Sequence, residues 1–371
     1  MNGKVRRIKV TLKPVGDGCN LVCEHCFVAG EPSRVRRMDD DTLLKVHQRA
    51  ADYAEHVSVV WHGGEPLLAG MPFFERALWI QGELPAEFNN VVQSNFTLLD
   101  DRWADFLVAN HIAAGTSLDG VPAIHDAVRH YADGRGSYDM VLAGIERLRS
   151  RGMSTGAIAT FTKYMLGRHM EVYDAFRDLH MDWQLNPMLK SARGNAVTNR
   201  VGVTFGEYAD AMVDIIDRYL FDEGAPVIDT VDDYIAHLVQ GSRREKSGQG
   251  LSGSCQDTIV AVGSDGSVYP CGRFTTMPET VLGNVHTDSM EKIFAHSFKG
   301  RMRSRGGETV GRCGECEYKR ACDAGCSEAA YYYHADPLAE DPMCSVYKRI
   351  YGHIIEVVTK LKTEVKQCQL Q

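Results

Sequence analysis

The chain has 371 residues, 44% of them hydrophobic, enough for one large core or two moderate ones. Its formal net charge of -8, from 41 basic and 49 acidic residues, argues against a nucleic-acid binder. No basic segment leading into an apolar stretch opens the chain and no run of about 18 apolar residues occurs, so neither a signal peptide nor a membrane-spanning helix is expected. The 11 cysteines are grouped at close spacings in a chain too large to need disulfide staples, which points to metal ligation in a reducing cytoplasm.

In chain order, residues 8–13 alternate and are rich in β-branched side chains, a strand that Pro14 ends. Gly16 and Gly18 open the loop that follows, and it carries Cys19, Cys23 and Cys26. Residues 39–54 are predicted to form a helix capped by Asp39 or Asp40, with Leu43, Val46, Ala50 and Tyr53 on one face. Strands are expected over 57–61, 88–93, 112–118, 155–161 and 183–189. Helices are expected over 73–81, from Asp100 onward, and over 139–150 and 167–179. Six strands alternating with helices place the chain in the α/β class with parallel βα units. That rhythm suits an incomplete barrel and a doubly wound sheet equally, and either puts the chemistry at the carboxyl ends of the strands.

Residues 204–221 form the clearest helix. Thr204 and Glu207 make a capping box, and Tyr208, Met212, Ile215 and Tyr219 form a face that reads as core. A helix over 230–240 is expected to open with a box of Thr230 and Asp233. Residues 241–250 lack periodicity and mark a domain boundary. The stretch 255–344 is rich in glycine and cysteine, with a hairpin about Asp265-Gly266 and a short helix capped by Asp288 with Glu291. A closing helix spans 345–368, with Val346, Ile350, Ile354, Val357, Leu361 and Val365 on one face.

Three thiols at 19, 23 and 26 hold three irons of a [4Fe–4S] cube and leave the fourth open to a small molecule. A structural zinc site with His25 as fourth ligand would account for this stretch alone, but seven further cysteines follow downstream. Gly63-Gly64-Glu65-Pro66 follows the second strand. Its glycines let the backbone approach a ligand, and Glu65 can accept a charge-assisted bond from an ammonium group. Ser94 and Asn95 end the third strand, and Ser117, Leu118 and Asp119 the fourth. Downstream stand Cys255, Cys271, Cys313, Cys316, Cys322, Cys326 and Cys344, of which a zinc ribbon would explain only Cys313 and Cys316.

The 19–26 pattern resembles the radical S-adenosylmethionine (SAM) superfamily, and the downstream array resembles its twin-cluster SPASM extension, together from about residue 7 to about residue 350. The resemblance implies a partial (β/α)6 barrel over 1–240, a linker over 241–254, a small α+β SPASM domain over 255–350 and a C-terminal helix over 351–371. It implies three [4Fe–4S] clusters. The first binds SAM at its open iron, and His25, Gly63, Gly64, Glu65, Ser94, Asn95 and Ser117 surround that SAM, with His62 nearby. A second cluster takes Cys255, Cys271 and Cys326, and a third takes Cys313, Cys316, Cys322 and Cys344, leaving Cys368 over. Sulfatase-maturing relatives carry another cysteine a few residues after the first of these; here that stretch, Gln256 to Ala261, has none. Asp119, Asp257 and Asp265 are candidate bases, each equally readable as a turn or surface residue.

The implied chemistry is reductive cleavage of SAM to a 5′-deoxyadenosyl radical that removes a hydrogen from a C–H bond. The missing cysteine, and Gly272 where sulfatase-maturing relatives carry an aspartate, favour a ribosomal-peptide maturase of the cyclophane type. Such an enzyme joins an aromatic ring carbon to a β-carbon within a precursor peptide. The alternatives are a thioether-forming maturase and an anaerobic sulfatase-maturing enzyme that makes formylglycine. A reading of another class, a non-catalytic electron carrier, is opposed by the intact Cys19, Cys23 and Cys26. The expected partners are a precursor peptide and a reductant such as flavodoxin or ferredoxin, with neither nucleic acid nor membrane. The first strand begins too early for an amino-terminal leader-binding domain to precede it.

Overall fold

The structure, a computed structural model, describes residues 4–26, 28, 35–188, 200–241 and 255–369, those from 364 on by backbone alone. Six strands, β1 (Val5–Leu12), β2 (Ala54–Trp61), β3 (Glu87–Ser94), β4 (Ala113–Ser117), β5 (Gly156–Phe161) and β6 (Trp183–Pro187), lie side by side in chain order. Every neighbouring pair is parallel. A doubly wound sheet reverses its strand order part-way; this one does not, so the architecture is the open (β/α)6 barrel.

Between the strands run α1 (Asp40–Tyr53), α2 (Met71–Gly82), α3 (Asp101–Ala109), α4 (Tyr138–Arg149) and α5 (His169–Asp178). Their starts follow local chemistry. Asp39 accepts from Thr42 N ahead of α1, and Asp100 accepts from Trp103 N ahead of α3, each satisfying a free helical N–H. Their apolar faces bury Leu43, Val46 and Ala50 of α1 and Val172, Tyr173 and Phe176 of α5 against the sheet. Aromatic rings fill the space between layers: Trp61 lies 5.1 Å from Phe74, Phe74 lies 5.3 Å from Trp103, and Phe176 stacks on Trp183 at 4.5 Å.

Helix α6 (Phe205–Phe221) has the complete Thr204–Glu207 capping box and buries Tyr208, Met212 and Ile215. Tyr208 donates to Leu185 O of β6 at 2.8 Å. Helix α7 (Asp229–Gln240) departs from expectation. Its N-cap is Ile228, with no side-chain cap, and Thr230 sits two residues past the cap position. Thr230 Oγ1 instead accepts from Leu185 N at 3.0 Å and donates to Leu185 O at 3.2 Å, tying α7 to β6. The neighbouring segment also covers the open edge of β6, where Trp183 N donates to Val227 O at 3.0 Å. The expected linker lies, from residue 242 on, outside the described residues.

The cysteine-rich region is not a detached layer. Strand β7 (Ile259–Val262) pairs in parallel with the free edge of β1, and β8 (Ser267–Tyr269) and β9 (Gly283–Asn284) continue antiparallel. The result is one nine-stranded sheet. The hairpin between β7 and β8 turns at Gly266, with φ of +80°, where a side chain would be strained. In the short helix that follows, Ser289 rather than Asp288 is the cap; Asp288 accepts instead from Asn284 N at 2.9 Å. Helix α8 (Ser327–His334) begins directly after Cys326, and α9 (Cys344–Gln369) begins at a ligand-candidate cysteine. No break therefore falls at residue 351. Helix α9 lies along α6, held by ion pairs from Arg349 to Asp210 and from His353 to Asp217.

The capping box gives a direct check on this scaffold. Thr204→Ala removes a side-chain acceptor from the first turn of α6 and is expected to cost about 1 kcal/mol in chemical denaturation.

Candidate active site

The loop after β1 is clamped by the Gly63-Gly64-Glu65 turn after β2. Gly64 N donates to Gly16 O at 3.0 Å and Glu65 N donates to Gly18 O at 2.7 Å. A Cβ on Gly64 would overlap Gly18 O, and Gly63 has φ of +98°. These two glycines are required by one backbone crossing another, beyond any closeness to a ligand. Glu65 is fully buried. Its Oε1 accepts from Leu67 N at 2.9 Å and Ser94 Oγ at 2.8 Å, and its Oε2 accepts from Asn95 N at 2.8 Å. Burial pushes the Glu65 carboxyl up to about 7 in spite of those bonds. The structure thus brings Glu65, Ser94 and Asn95 together, with Glu65 as a strut from the β2 turn to the end of β3.

Asn95 continues that strut to the cysteine loop. Its Nδ2 donates to Asn20 Oδ1 at 3.0 Å and lies 3.7 Å from Cys19 Sγ, while Asn20 Nδ2 donates to Thr97 Oγ1 at 2.8 Å. On the far side, Val22 N donates to His130 O and Glu24 N to Val128 O, each at 2.8 Å. The three thiols are therefore held from both flanks. Asn20, Thr97 and Arg129 were not singled out from sequence; each is an ordinary polar residue until the fold places it.

Asp119 is corrected as a candidate base. It is fully buried and paired with Arg129, Nε to Oδ2 at 2.6 Å and Nη2 to Oδ1 at 3.2 Å, and Thr160 N donates to Oδ1 at 2.8 Å. Burial pushes its carboxyl up, but the Arg129 guanidinium, with His25 and His125, outweighs that and holds it below the ordinary carboxylate range. A carboxylate so stabilised does not take up a proton near neutrality; it holds Arg129, whose charge bears on Cys23. His25 is buried among the same groups with Nδ1 unpartnered, and burial pushes its pKa down to about 3. Ser117 ends β4, half-buried. His62 is half-buried beside Lys13; desolvation, and then the Lys13 charge, bring its pKa down to about 4.

All ten described cysteines are free thiols, and they fall into three sets. Cys19 feels the charges of Cys23 and Cys26; Cys255 feels Cys326, and Cys271 feels Cys255; Cys322 feels Cys344, Cys313 and Cys316. Cys368 has no described side chain. Among the described residues no three His, Cys, Asp or Glu converge on a point fit for a single metal ion. A cube binds each thiolate through a separate iron, so its ligands stand further apart than those of one ion. Burial pushes Cys23, Cys271 and Cys326 up to about 12, so as bare thiols they stay protonated and only metal draws the protons off. Sets of three, three and four half-buried thiols have the chemistry that iron–sulfur clusters use. Asp257 lies in the same short helix as Cys255, its side chain 59% exposed with Arg303 at 3.7 Å. Asp265 accepts from Ser267 N at 3.0 Å and serves the hairpin turn.

Residues 14–179 match the family model of the radical SAM superfamily, and residues 255–317 match that of an iron–sulfur cluster-binding domain, SPASM. The chain belongs to the radical SAM superfamily. This radical SAM enzyme is 24% identical over 373 residues to a cysteine-type anaerobic sulfatase-maturating enzyme of Clostridium perfringens, spanning 97% of this chain and 99% of the relative. Its fold matches native anSMEcpe with bound AdoMet and Cp18Cys peptide at a TM-score of 0.83 and 24% identity, covering 96% of this chain and 99% of that one. It matches Streptococcus suis SuiB bound to precursor peptide SuiA at a TM-score of 0.64 and 16% identity, covering 91% and 75%.

Two variants probe the radical SAM site. Gly64→Ala drives a methyl group into Gly18 O, and it is expected to lower the iron-to-protein ratio by loss of the 19–26 cluster while the downstream clusters persist in electron paramagnetic resonance (EPR) spectra. Arg129→Met leaves Asp119 buried without its cation, at an expected cost of about 3–5 kcal/mol at neutral pH. The pH dependence changes sign with it. In the wild type the folded value of Asp119 lies below the unfolded one, so its contribution is present above the ordinary carboxylate pKa and lost as pH falls through the folded value. In Arg129→Met the Thr160 N–H bond remains but the guanidinium that offset burial is gone, so the folded value rises and this contribution turns destabilising as pH climbs out of the acid range. Denaturation midpoints across pH read both slopes.

Proposed function

We propose that this radical SAM enzyme oxidises a side chain of a peptide or protein substrate, with sulfatase-type conversion of a cysteine or serine to formylglycine as the leading reaction. The observation that carries this reading is the end-to-end likeness, 97% of this chain to 99% of the relative, to an anaerobic sulfatase-maturating enzyme. Held beside a cluster on Cys19, Cys23 and Cys26, SAM would supply the 5′-deoxyadenosyl radical that removes a hydrogen atom from the substrate.

The chain's own residues hold that chemistry in place. Cys19, Cys23 and Cys26 are the first cluster's ligands, with Cys255, Cys271 and Cys326 holding the second and Cys313, Cys316, Cys322 and Cys344 the third. The backbone of Gly63 and Gly64, Ser94, Asn95, Ser117 and His25 line the SAM position, and Glu65 orients that wall through its bonds to Ser94 and Asn95. Asp119 acts through Arg129, which balances the charge of the cysteine loop. A low-potential flavodoxin or ferredoxin supplies the electron. Free thiols suit a reducing cytoplasm, and among the described residues no helix is long and apolar enough to cross a membrane.

A second reading, the ring-to-β-carbon crosslink in a ribosomal precursor peptide, is favoured by one observation: the stretch Gln256 to Ala261 has no cysteine, and Gly272 stands where sulfatase-maturing relatives carry an aspartate. Anaerobic reduced protein with SAM and a peptide bearing a sulfatase-type cysteine or serine separates the two. An aldehyde trapped on that residue, with 5′-deoxyadenosine formed alongside, supports the leading reaction. Loss of a hydrogen pair with a new ring-to-β-carbon bond and no aldehyde supports the second. Cys26→Ala is expected to abolish 5′-deoxyadenosine, and its continued formation there would remove both readings.

A further inference from the structure

Beside the Cys255, Cys271 and Cys326 set stands a buried amide that the proposed chemistry does not use. Gln256 lies in the short helix Cys255–Thr258 and is 3% exposed. Its Nε2 is 3.2 Å from Cys255 Sγ and 3.3 Å from Ser327 Oγ, the residue after Cys326. Its Oε1 is buried without a hydrogen-bond partner. The amide thus bridges two stretches that supply ligands to one cluster, at the cost of an orphan carbonyl.

That cost decides what the side chain is for. A buried unpaired carbonyl is unfavourable by about 1–3 kcal/mol, and a methionine would fill a similar volume without it. The amide's return is the sulfur contact. Turning it over would aim Oε1 at Cys255 Sγ, lone pair against lone pair once the sulfur is a thiolate, so the N–H end faces the sulfur. A hydrogen bond to a ligand sulfur withdraws negative charge from the cluster and favours its reduced form. The surroundings act the same way. Lys299 is fully buried, donates to Ile259 O at 2.7 Å and adds its positive charge near Cys255 and Cys271.

We propose that Gln256 is a positioning residue for the first auxiliary cluster: its Nε2–H bond to Cys255 Sγ raises that cluster's reduction potential and makes it an electron acceptor. This rests on the reading that Cys255, Cys271 and Cys326 hold a cluster.

The test is an EPR-monitored redox titration of the full-length, anaerobically loaded protein as wild type, Gln256→Met and Gln256→Glu, with iron and sulfide counted in each. In Gln256→Met the signal assigned to this cluster is expected to move to a more negative potential while the other two stay put. Gln256→Glu, titrated at alkaline pH so that the buried carboxyl is ionised beside the thiolate, is expected to move it further the same way. A cluster whose potential is unchanged in both variants overturns the role of Gln256 and leaves the cluster reading standing. A Cys255→Ala variant that holds as much iron as the wild type overturns the cluster reading and the proposal together. Should Gln256→Met fail to load, Gln256→Glu decides alone, and a wild-type potential there overturns the proposal.

Discussion

Two backbone hydrogen bonds, from Gly64 N to Gly16 O and from Glu65 N to Gly18 O, fix where the cysteine loop can sit. They require two chain segments to cross at a distance only glycine allows, and they carry the end of β2 onto the loop after β1. Glu65 then extends the connection to the end of β3 through Ser94 and Asn95, and Asn95 returns it to Asn20 beside Cys19. The three thiols thus depend on contacts from three successive strand ends, which is what the parallel βα order supplies.

Charge at the Cys19, Cys23 and Cys26 set and at the Cys255, Cys271 and Cys326 set is handled by buried partners. Near Cys23 a guanidinium, Arg129, is held by an equally buried carboxylate, so the pair brings no net charge into the site yet presents its positive end to the sulfur. Near Cys255 an amide donor and a buried ammonium do comparable work without an acid of their own in the same contact. Both settings stabilise thiolates that burial alone would keep protonated.

Strand β1 joins the two halves. It pairs with β2 on one side and β7 on the other, so the barrel and the cysteine-rich extension share one sheet. Lys13, at the end of β1, also donates to Thr275 in the segment after Cys271 at 3.1 Å. The auxiliary region is therefore positioned by main-chain pairing, which is rigid and directional, and side-chain contacts such as Lys13 to Thr275 add to it.

What the amino-acid sequence determined by itself is what short-range chemistry writes: six strands by their alternation, α6 by Thr204 and Glu207 three residues apart, the hairpin at Gly266, and the grouping of Cys19, Cys23 and Cys26 in the loop after β1. The cap of α7 misled because a threonine at a helix start can serve a strand instead, and only the nearness of Leu185 decides which. Only the tertiary structure turned Asp119 from a candidate base into the holder of Arg129, made Glu65 a strut, joined β7 to β1 and set Gln256 against Cys255. Each of those depends on which groups share a dry interior, where burial and one neighbouring charge or donor decide a side chain's role, and such neighbours come from distant parts of the chain.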